Sequence, residues 1–111
     1  MQAPQGPSFD EEDVSDKPAW VSTRRRLNRS DLAEIDREYR NRLRSLQAVD
    51  EMVASLIGAL QASGAISNTY LFFTSDNGYH QGQHRLPAGK TTAYEEDIRV
   101  PLFGIGPGAG A

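Results

Sequence analysis

The stretch Asn68-Thr-Tyr-Leu-Phe-Phe-Thr-Ser-Asp-Asn-Gly78 decides the fold class of this 111-residue chain. Its first half is apolar on successive residues from Tyr70 to Phe73, which is typical of a short strand buried on both faces. Its second half places the side chains of Asp76 and Asn77 directly after that strand. In open α/β sheets, ligands bind beyond the carboxyl ends of the strands. The stretch therefore predicts a buried strand that leads into a polar, functional loop.

The residues before this strand predict one long helix, from about Asp31 to Ser63. Ser30 or Asp31 is expected to cap its start, with Glu34 completing a capping box, and Gly64 is expected to end it. A helix, a short loop and a buried strand make half of an α/β unit, so the predicted fold class is α/β. Apolar residues recur along the helix every three or four positions, at Leu32, Ile35, Tyr39, Leu43, Leu46, Val49, Val53, Leu56 and Leu60.

The flanking segments are less regular. Residues 1–29 combine prolines with an acidic cluster, which predicts a loop-rich, solvated segment that Trp20 anchors to the core. A second strand is expected around Ile98 to Ile105, where Pro101 places it at a sheet edge or near its own start. The glycine-rich tail from Gly104 to Ala111 is expected to be loop.

Composition and charge exclude several classes of protein. The chain has no cysteine, which excludes disulfides, thiolate zinc sites and a cysteine nucleophile within it. The net charge is −3, and acidic residues alternate with the arginines at helical spacing, so we expect a solvated, salt-bridged face and no nucleic-acid partner. No apolar run approaches the roughly 20 residues of a membrane span, and no signal peptide is visible at the N-terminus.

The loop from Thr74 to Pro101 contains the residues suited to chemistry. Asp76 and Asn77 offer a carboxylate and an amide oxygen, which are hard donors that suit Ca²⁺ or Mg²⁺. Lys90 follows a glycine in a turn-prone segment, where its ammonium group could neutralise a bound oxyanion. We therefore expect a cation and an anion to bind next to each other in this loop.

Other interpretations of the same loop are weaker. Asn77-Gly78 is a hairpin signal, but the residues that follow it are polar and interrupted by glycine. His80 and His84 stand four apart, as zinc ligands on a helix do, but Gly82 lies between them and no third ligand is evident. Histidines that pack the loop or line the edge of a substrate site are favoured.

Four short motifs in this region together resemble one enzyme family. Ser75-Asp-Asn-Gly, a later Gly-Lys, Tyr94-Glu-Glu and Arg99-Val-Pro are similar to the second half of the catalytic domain of sulfatases, in particular the arylsulfatase and N-acetylglucosamine-6-sulfatase branch. The resemblance implies an alkaline-phosphatase-like α/β sandwich, with residues 30–111 as the C-terminal part of its catalytic domain. It also implies hydrolysis of sulfate esters in a sulfated small molecule or glycan, and a secreted or periplasmic location.

The resemblance also carries over the roles of individual residues. Asp76 and Asn77 match the pair that holds the divalent cation of the family, usually calcium. Lys90 matches the lysine that contacts the substrate sulfate, and His84 stands where related sulfatases carry a histidine, so both are expected on the substrate side. The family nucleophile is a formylglycine made from a Cys/Ser-x-Pro-x-Arg motif, which does not occur in this sequence. No catalytic residue is therefore assigned, and we expect the chain by itself to be inactive.

Two other functions fit part of the sequence. A phosphodiesterase or phosphonate-ester hydrolase of the same superfamily would bind a second metal through histidines, and Asn77 argues against this. A non-catalytic helical interaction module would be dominated by residues 31–63, whose apolar stripe is close to a heptad repeat. Arg42 stands where that repeat needs an apolar residue, which makes a coiled coil the weaker interpretation.

Overall fold

The computed structural model describes residues 1–108 of the chain, so the last part of the predicted glycine-rich tail lies outside the described residues. The described residues extend over 57 × 26 × 21 Å, because one helix runs along most of the longest dimension. In chain order the elements are α1 (Ala19–Ser22), α2 (Arg29–Ala62), a short 3₁₀ helix (Ile66–Asn68), β1 (Leu71–Thr74), α3 (Glu95–Ile98) and β2 (Leu102–Ile105).

Helix α2 begins slightly earlier than its apolar spacing predicts. Its N-cap is Asn28, whose side-chain oxygen accepts hydrogen bonds from the backbone N–H groups of Ser30 and Asp31. The carboxylate of Asp31 in turn accepts the N–H of Asn28 at 2.7 Å, which completes a capping box. The predicted cap at Ser30 or Asp31, with Glu34 in the box, is therefore wrong, because Asn28 is itself a strong N-cap residue.

Two other predictions about α2 are confirmed. Gly64 follows the end of the helix with φ of +72°, in the left-handed region that glycine adopts without strain. On the polar face, Arg37 donates to the carboxylate of Glu34 at 2.9 Å, one of the expected ion pairs at helical spacing.

Strands β1 and β2 form a two-stranded antiparallel sheet. Leu71 lies opposite Ile105 and Thr74 lies opposite Leu102. The second strand is shorter than predicted, because the residues up to Ile98 form α3 instead. Pro101 immediately precedes β2, as predicted from its inability to donate a backbone hydrogen bond.

The prediction that β1 is buried on both faces is wrong for the described residues. Phe72 is 72% exposed, and Leu102 and Phe103 in the neighbouring strand are 70% and 63% exposed. An apolar run indicates that a strand is suited to burial, but burial needs further layers of polypeptide. Within residues 1–108 the face with Phe72 and Leu102 is uncovered, and α2 faces Phe73 and Phe103 on the other side only across an open groove.

The small core lies between the N-terminal segment and the loop after β1. Val14, Val21 and Leu86 form it, with Tyr94 packed against them. Trp20, the predicted anchor of the N-terminal segment, packs on Tyr94 at the edge of this core with 6.2 Å between ring centroids, but it stays half exposed, and Val21 is the fully buried anchor. Val21 reaches the core because α1 turns its side chain inward.

Part of the predicted solvated acidic cluster is held in place. Asp10 accepts hydrogen bonds from the Arg26 side chain at 2.9 Å and from the backbone N–H of Leu27 at 2.8 Å. Glu11 contacts His84 and Lys17. The prediction is therefore wrong for Asp10 and Glu11. Within residues 1–108, no helix has both the length and the apolar character needed to cross a membrane.

Candidate functional site

The segment between β1 and β2, residues 75–101, is called the site loop below. Because the two strands are antiparallel neighbours, the loop leaves and re-enters the sheet at the same end. The hydroxyl of Thr74 donates to the carbonyl of Pro101 at 2.9 Å and closes the base of the loop. The sheet thereby brings residues from both halves of the loop close together.

Asn77 and Lys90, predicted to serve the cation and the sulfate respectively, are in contact. The ammonium group of Lys90 donates to the side-chain oxygen of Asn77 at 3.1 Å. The amide nitrogen of Asn77 donates to the carbonyl of Gly78 at 2.6 Å, which orients the amide oxygen toward the lysine. Asp76 precedes Asn77 and is exposed, as is Lys90.

Asp76 and Asn77 have donor chemistry that fits a hard divalent cation but form only part of a coordination sphere. Calcium takes about six to eight oxygen ligands. Within residues 1–108, no group of three or more histidine, cysteine, aspartate and glutamate side chains is placed to hold a metal ion. A cation at this pair would therefore need further oxygen ligands from water, substrate or other polypeptide.

Asp97 in α3 is the main polar centre of the site loop. Its side chain is buried, with the whole residue 4% exposed. One carboxylate oxygen accepts the backbone N–H of His80 at 3.0 Å and lies 2.9 Å from the ring Nδ1 of His80. The other accepts the backbone N–H of Thr92 at 2.8 Å and its hydroxyl at 2.7 Å.

These hydrogen bonds keep Asp97 ionised. Burial raises the pKa of the Asp97 carboxyl, but the hydrogen bonds from Thr92 and His80 outweigh it, so the pKa lies below its ordinary value. An ionised carboxylate can only accept hydrogen bonds, so Nδ1 of the His80 ring is the donor in this pair.

Gly78 is required because two backbones approach each other closely. The N–H groups of Gly78 and Tyr79 donate to the carbonyl oxygens of Asp97 and Glu96 at 2.7 and 2.6 Å. A Cβ atom at position 78 would overlap the carbonyl oxygen of Glu96. Glycine is required at position 78 because the backbone packs there against α3.

His84 links the site loop to the N-terminal segment. Its ring Nδ1 lies 2.6 Å from the carboxylate of Glu11, and its Nε2 lies 3.7 Å from that of Glu96. The ring also packs on Tyr94, with 4.1 Å between the ring centroids. The hydrogen bond from His84, against the effect of burial and together with that from Lys17, lowers the pKa of Glu11. Both ring nitrogens of His84 therefore face carboxylates.

Arg85 strengthens the same connection. Its guanidinium donates to the backbone carbonyls of Glu11, Glu12 and Arg24 at 2.6 to 2.9 Å. In addition, Phe9 and Gln83 form a β-bridge between the two segments. These contacts join residues more than 60 positions apart, and no spacing in the sequence indicates them.

Helix α2 also touches the site loop. The hydroxyl of Tyr79 donates to the Glu38 carboxylate at 3.3 Å, and the guanidinium carbon of Arg42 lies 3.8 Å from the centroid of the Tyr79 ring. This is a cation–π contact. Arg42 thus interrupts the apolar stripe of α2 at a point where the helix meets the loop.

Comparison with known proteins decides the family. The sequence model of the Sulfatase family matches residues 3–111 of the chain. This chain belongs to the sulfatase family. The family predicted from the four short motifs is thereby confirmed. No solved structure matches the chain.

Curated sulfatases are similar over most of the chain. It is 49% identical to an arylsulfatase of Volvox carteri over 98 residues, which are 88% of this chain and 15% of that protein. It is 45% identical to an N-acetylglucosamine-6-sulfatase of Homo sapiens over 82 residues, 74% of this chain and 15% of that protein. It is 41% identical to sulfatase ppz1 of Metarhizium majus over 112 residues, 100% of this chain and 26% of that protein. The chain therefore spans between about one seventh and one quarter of the length of these relatives.

In this sulfatase chain the four motifs that suggested the family all lie in the site loop. Ser75-Asp-Asn-Gly begins it, Lys90 stands beside Asn77, and Arg99-Val-Pro ends it. Tyr94-Glu-Glu leads into α3, where the carbonyl of Asp97 accepts the N–H of Gly78 and the carbonyl of Glu96 accepts the N–H of Tyr79, the residue after the first motif. The motifs thus make contact with one another in three dimensions.

Proposed function

We propose that this chain supplies part of the active site of a sulfatase that hydrolyses sulfate esters. The observation that carries the proposal is the 3.1 Å hydrogen bond between Lys90 and Asn77, which places a candidate sulfate-binding amine against a candidate cation ligand. Positive groups that serve one reaction are expected near each other, since a cation and an ammonium group both stabilise an anionic sulfate.

Asp76 and Asn77 would hold the cation, calcium in the first instance and magnesium as the alternative. When bound, the cation would offset the negative charge that develops on the sulfate oxygens. Exposure of Asp76 leaves its carboxylate open to solvent and to a ligand, while the hydrogen bond from Asn77 to Gly78 fixes the amide. The carboxylate of Asp76 and the second lone pair of the Asn77 amide oxygen, which also accepts from Lys90, would supply the ligand atoms.

Lys90 would bind the sulfate group. Its amine is exposed and holds one hydrogen bond with Asn77, which leaves two further N–H donors for oxyanion oxygens. His84 was also expected on the substrate side, but a substrate contact would have to displace the carboxylate of Glu11 or Glu96 from its ring. Its contacts support a role in holding the N-terminal segment on the site loop.

The complete active site is expected to need more than these residues. The formylglycine nucleophile of the family arises from a Cys/Ser-x-Pro-x-Arg motif, which the 111 residues do not contain. We therefore expect the chain by itself not to hydrolyse sulfate esters. Further layers over the exposed sheet would complete the alkaline-phosphatase-like α/β sandwich expected for the family.

The substrate class follows from the relatives. Their names, arylsulfatase and N-acetylglucosamine-6-sulfatase, support a sulfated small molecule or glycan as the substrate. The phosphodiesterase alternative has less support, because His80 faces Asp97 and His84 faces Glu11, so neither ring is directed toward a shared second metal. A purely helical interaction module would not require the contacts that Glu38 and Arg42 of α2 make with Tyr79.

The test uses the full-length gene product, meaning these residues with any sequence encoded before or after them. Asp76→Ala should abolish calcium-dependent hydrolysis of an aryl sulfate. Asp50→Ala, an exposed aspartate on α2, is the matched control and should retain full activity. Unchanged activity of Asp76→Ala, or an activity that removal of both calcium and magnesium does not affect, would refute the cation assignment.

A second substitution tests the sulfate contact. Lys90→Ala should lower kcat/KM about 10²- to 10³-fold, the cost of removing one charge-stabilising donor, while the stability changes little. Arg44→Ala, also an exposed cation, should behave as the unmodified protein. A loss of activity that merely follows a loss of stability would assign Lys90 a structural role.

A further inference from the structure

His80 and Asp97 form a buried pair that none of the proposed chemistry uses. His80 is 5% exposed and Asp97 is 4% exposed, and their side chains meet at 2.9 and 3.0 Å. A buried charge is costly unless it is fully hydrogen-bonded, and here the Asp97 carboxylate is satisfied by His80 and Thr92. Such a pair tolerates little movement.

One side of the pair is directly connected to Lys90. The backbone of His80 exchanges two hydrogen bonds with Gly89, N–H to carbonyl in both directions and each 2.9 Å long. A Cβ atom on Gly89 would lie 3.1 Å from Nε2 of His80, so the ring packs tightly against this backbone. Since Gly89 immediately precedes Lys90, the position of the His80 ring sets where the lysine backbone begins.

The other side of the pair is connected to the proposed cation ligands. The carbonyl of Asp97 accepts the N–H of Gly78 at 2.7 Å, and Gly78 immediately follows Asn77. Asp97 also holds the segment after Lys90, through both hydrogen bonds from Thr92. Asp97 thus holds the backbone just after Asn77, at Gly78, and just after Lys90, at Thr92.

We propose that His80 and Asp97 are positioning residues, which set the distance and orientation of Lys90 relative to Asn77. The inference rests on the proposed function of those two residues. Neither His80 nor Asp97 contacts the substrate in this role; they act through Gly78, Gly89 and Thr92. A pair of this kind affects turnover through the geometry it imposes. The hydrogen bond between Nδ1 of His80 and the carboxylate of Asp97 is therefore the contact that the test must remove.

The experiment compares two replacements of His80 in the full-length gene product. Asn places its amide N–H near the position of Nδ1 and can still donate to Asp97, whereas Gln reaches toward the position of Nε2 and leaves Asp97 short of a donor. His80→Gln should lower kcat/KM for an aryl sulfate about 10- to 100-fold and weaken the binding of inorganic sulfate, as loss of an orienting partner does. His80→Asn should recover most of that loss.

Val21→Ala is the control for stability alone, because Val21 is fully buried and belongs to the core and not to this pair. It should lower the stability with little change in kcat/KM. Equal effects of His80→Gln and His80→Asn would overturn the proposal. So would a loss of activity in His80→Gln no greater than that of Val21→Ala at the same loss of stability.

A double-mutant cycle with Lys90 tests whether the pair acts through the lysine. In the Lys90→Ala background, adding His80→Gln should change kcat/KM by no more than about twofold, because the orienting effect has no lysine left to act on. If the double variant loses kcat/KM by the product of the two single losses, the two residues act independently. That result would overturn the positioning role even if Lys90 is essential. No loss in Lys90→Ala alone would instead refute the proposed function of Lys90. Should His80→Gln fail to fold, Thr92→Val replaces it in the cycle, with the same two outcomes.

Discussion

The site loop and the two-stranded sheet that carries it are stabilised in opposite ways. In the loop, polar groups such as Asp97 and His80 are buried and satisfied by hydrogen bonds within the chain. In the sheet, large apolar side chains such as Phe72, Leu102 and Phe103 are mostly exposed. The geometry of the loop is thus determined by contacts inside the described residues, whereas the sheet has backbone pairing and little burial.

This difference separates what selects one loop conformation from what contributes to the free energy of unfolding. A two-stranded sheet without a covered face is marginally stable in water. Hydrogen bonds contribute modestly to net stability, but leaving a buried partner unsatisfied is costly, so they favour one loop conformation over others. We therefore expect substitutions in the loop to disturb its conformation strongly, and substitutions on the exposed sheet face to have small effects in this chain.

The largest effect is expected from Gly78→Ala. The added Cβ would overlap the carbonyl oxygen of Glu96, so the loop and α3 must move apart and lose the hydrogen bonds from Gly78 and Tyr79. The expected loss in the free energy of unfolding of the 111-residue chain is about 3 kcal/mol, at the upper end of overpacking effects. Denaturant unfolding measures it, and amide hydrogen exchange should accelerate at Tyr79.

Gly58→Ala is the matched control for that substitution. Gly58 lies inside α2, and a Cβ atom added there would have no heavy atom of another segment within 4 Å, so alanine should stabilise the helix by about 1 kcal/mol. If Gly58→Ala raises the free energy of unfolding and Gly78→Ala lowers it, the contact with α3 is what restricts position 78. A tolerated Gly78→Ala would show that α3 does not press on the loop.

A smaller effect separates the core from the sheet. Val21→Ala should lower the free energy of unfolding of the chain by about 2 kcal/mol, because it removes fully buried methyl groups and leaves a cavity. Phe72→Thr should change it by less than about 0.5 kcal/mol, since the ring is 72% exposed and threonine keeps a strand propensity. Thermal or denaturant unfolding of both variants measures the difference.

The same pair of variants sharpens the contrast in the full-length gene product. If additional polypeptide covers the sheet there, Phe72→Thr should become as costly as Val21→Ala. In the 111-residue chain alone, equal losses for the two variants would contradict the exposed sheet face.

Local features of the fold could be predicted from sequence because their causes are local. The spacing of apolar residues indicated α2, and the position of Gly64 indicated the end of that helix, since both depend on neighbours within a few residues. The N-cap was misplaced by two or three residues because Asn28, Ser30 and Asp31 are all good caps, and only the path of the chain selects one. The exposure of β1 was missed because an apolar strand does not specify what covers it.

The candidate site was predictable only in part. Asp76, Asn77 and Lys90 were selected by their chemistry and by the motifs around them, and the contact between Asn77 and Lys90 agrees with a shared site. The pairing of His80 with Asp97 was not predicted, because the two residues are 17 positions apart and both have several possible partners. A buried hydrogen-bond partnership is a property of the folded geometry, and residue types alone do not encode it.

The smallest expected effect concerns the link between the N-terminal segment and the site loop, and it depends on pH. The hydrogen bond from His84, opposed by burial and aided by Lys17, holds the pKa of Glu11 below its ordinary value of 4.5. A lowered pKa means that the folded protein binds this proton less readily than the unfolded chain does. The stabilisation is therefore fully present above the ordinary pKa and is lost as the pH falls through the lowered one.

Glu11→Gln should remove that contribution. We expect a loss of about 1 kcal/mol at neutral pH, the net value of one hydrogen bond, and a shallower fall in stability on acidification. Glu12→Gln is the control, because its exposed side chain is free of these contacts and only its backbone carbonyl binds Arg85. Asp97 titrates in every one of these proteins, so the difference between variants isolates Glu11. Parallel stability profiles for Glu11→Gln and the unmodified chain would mean that His84 does not hold the two segments together.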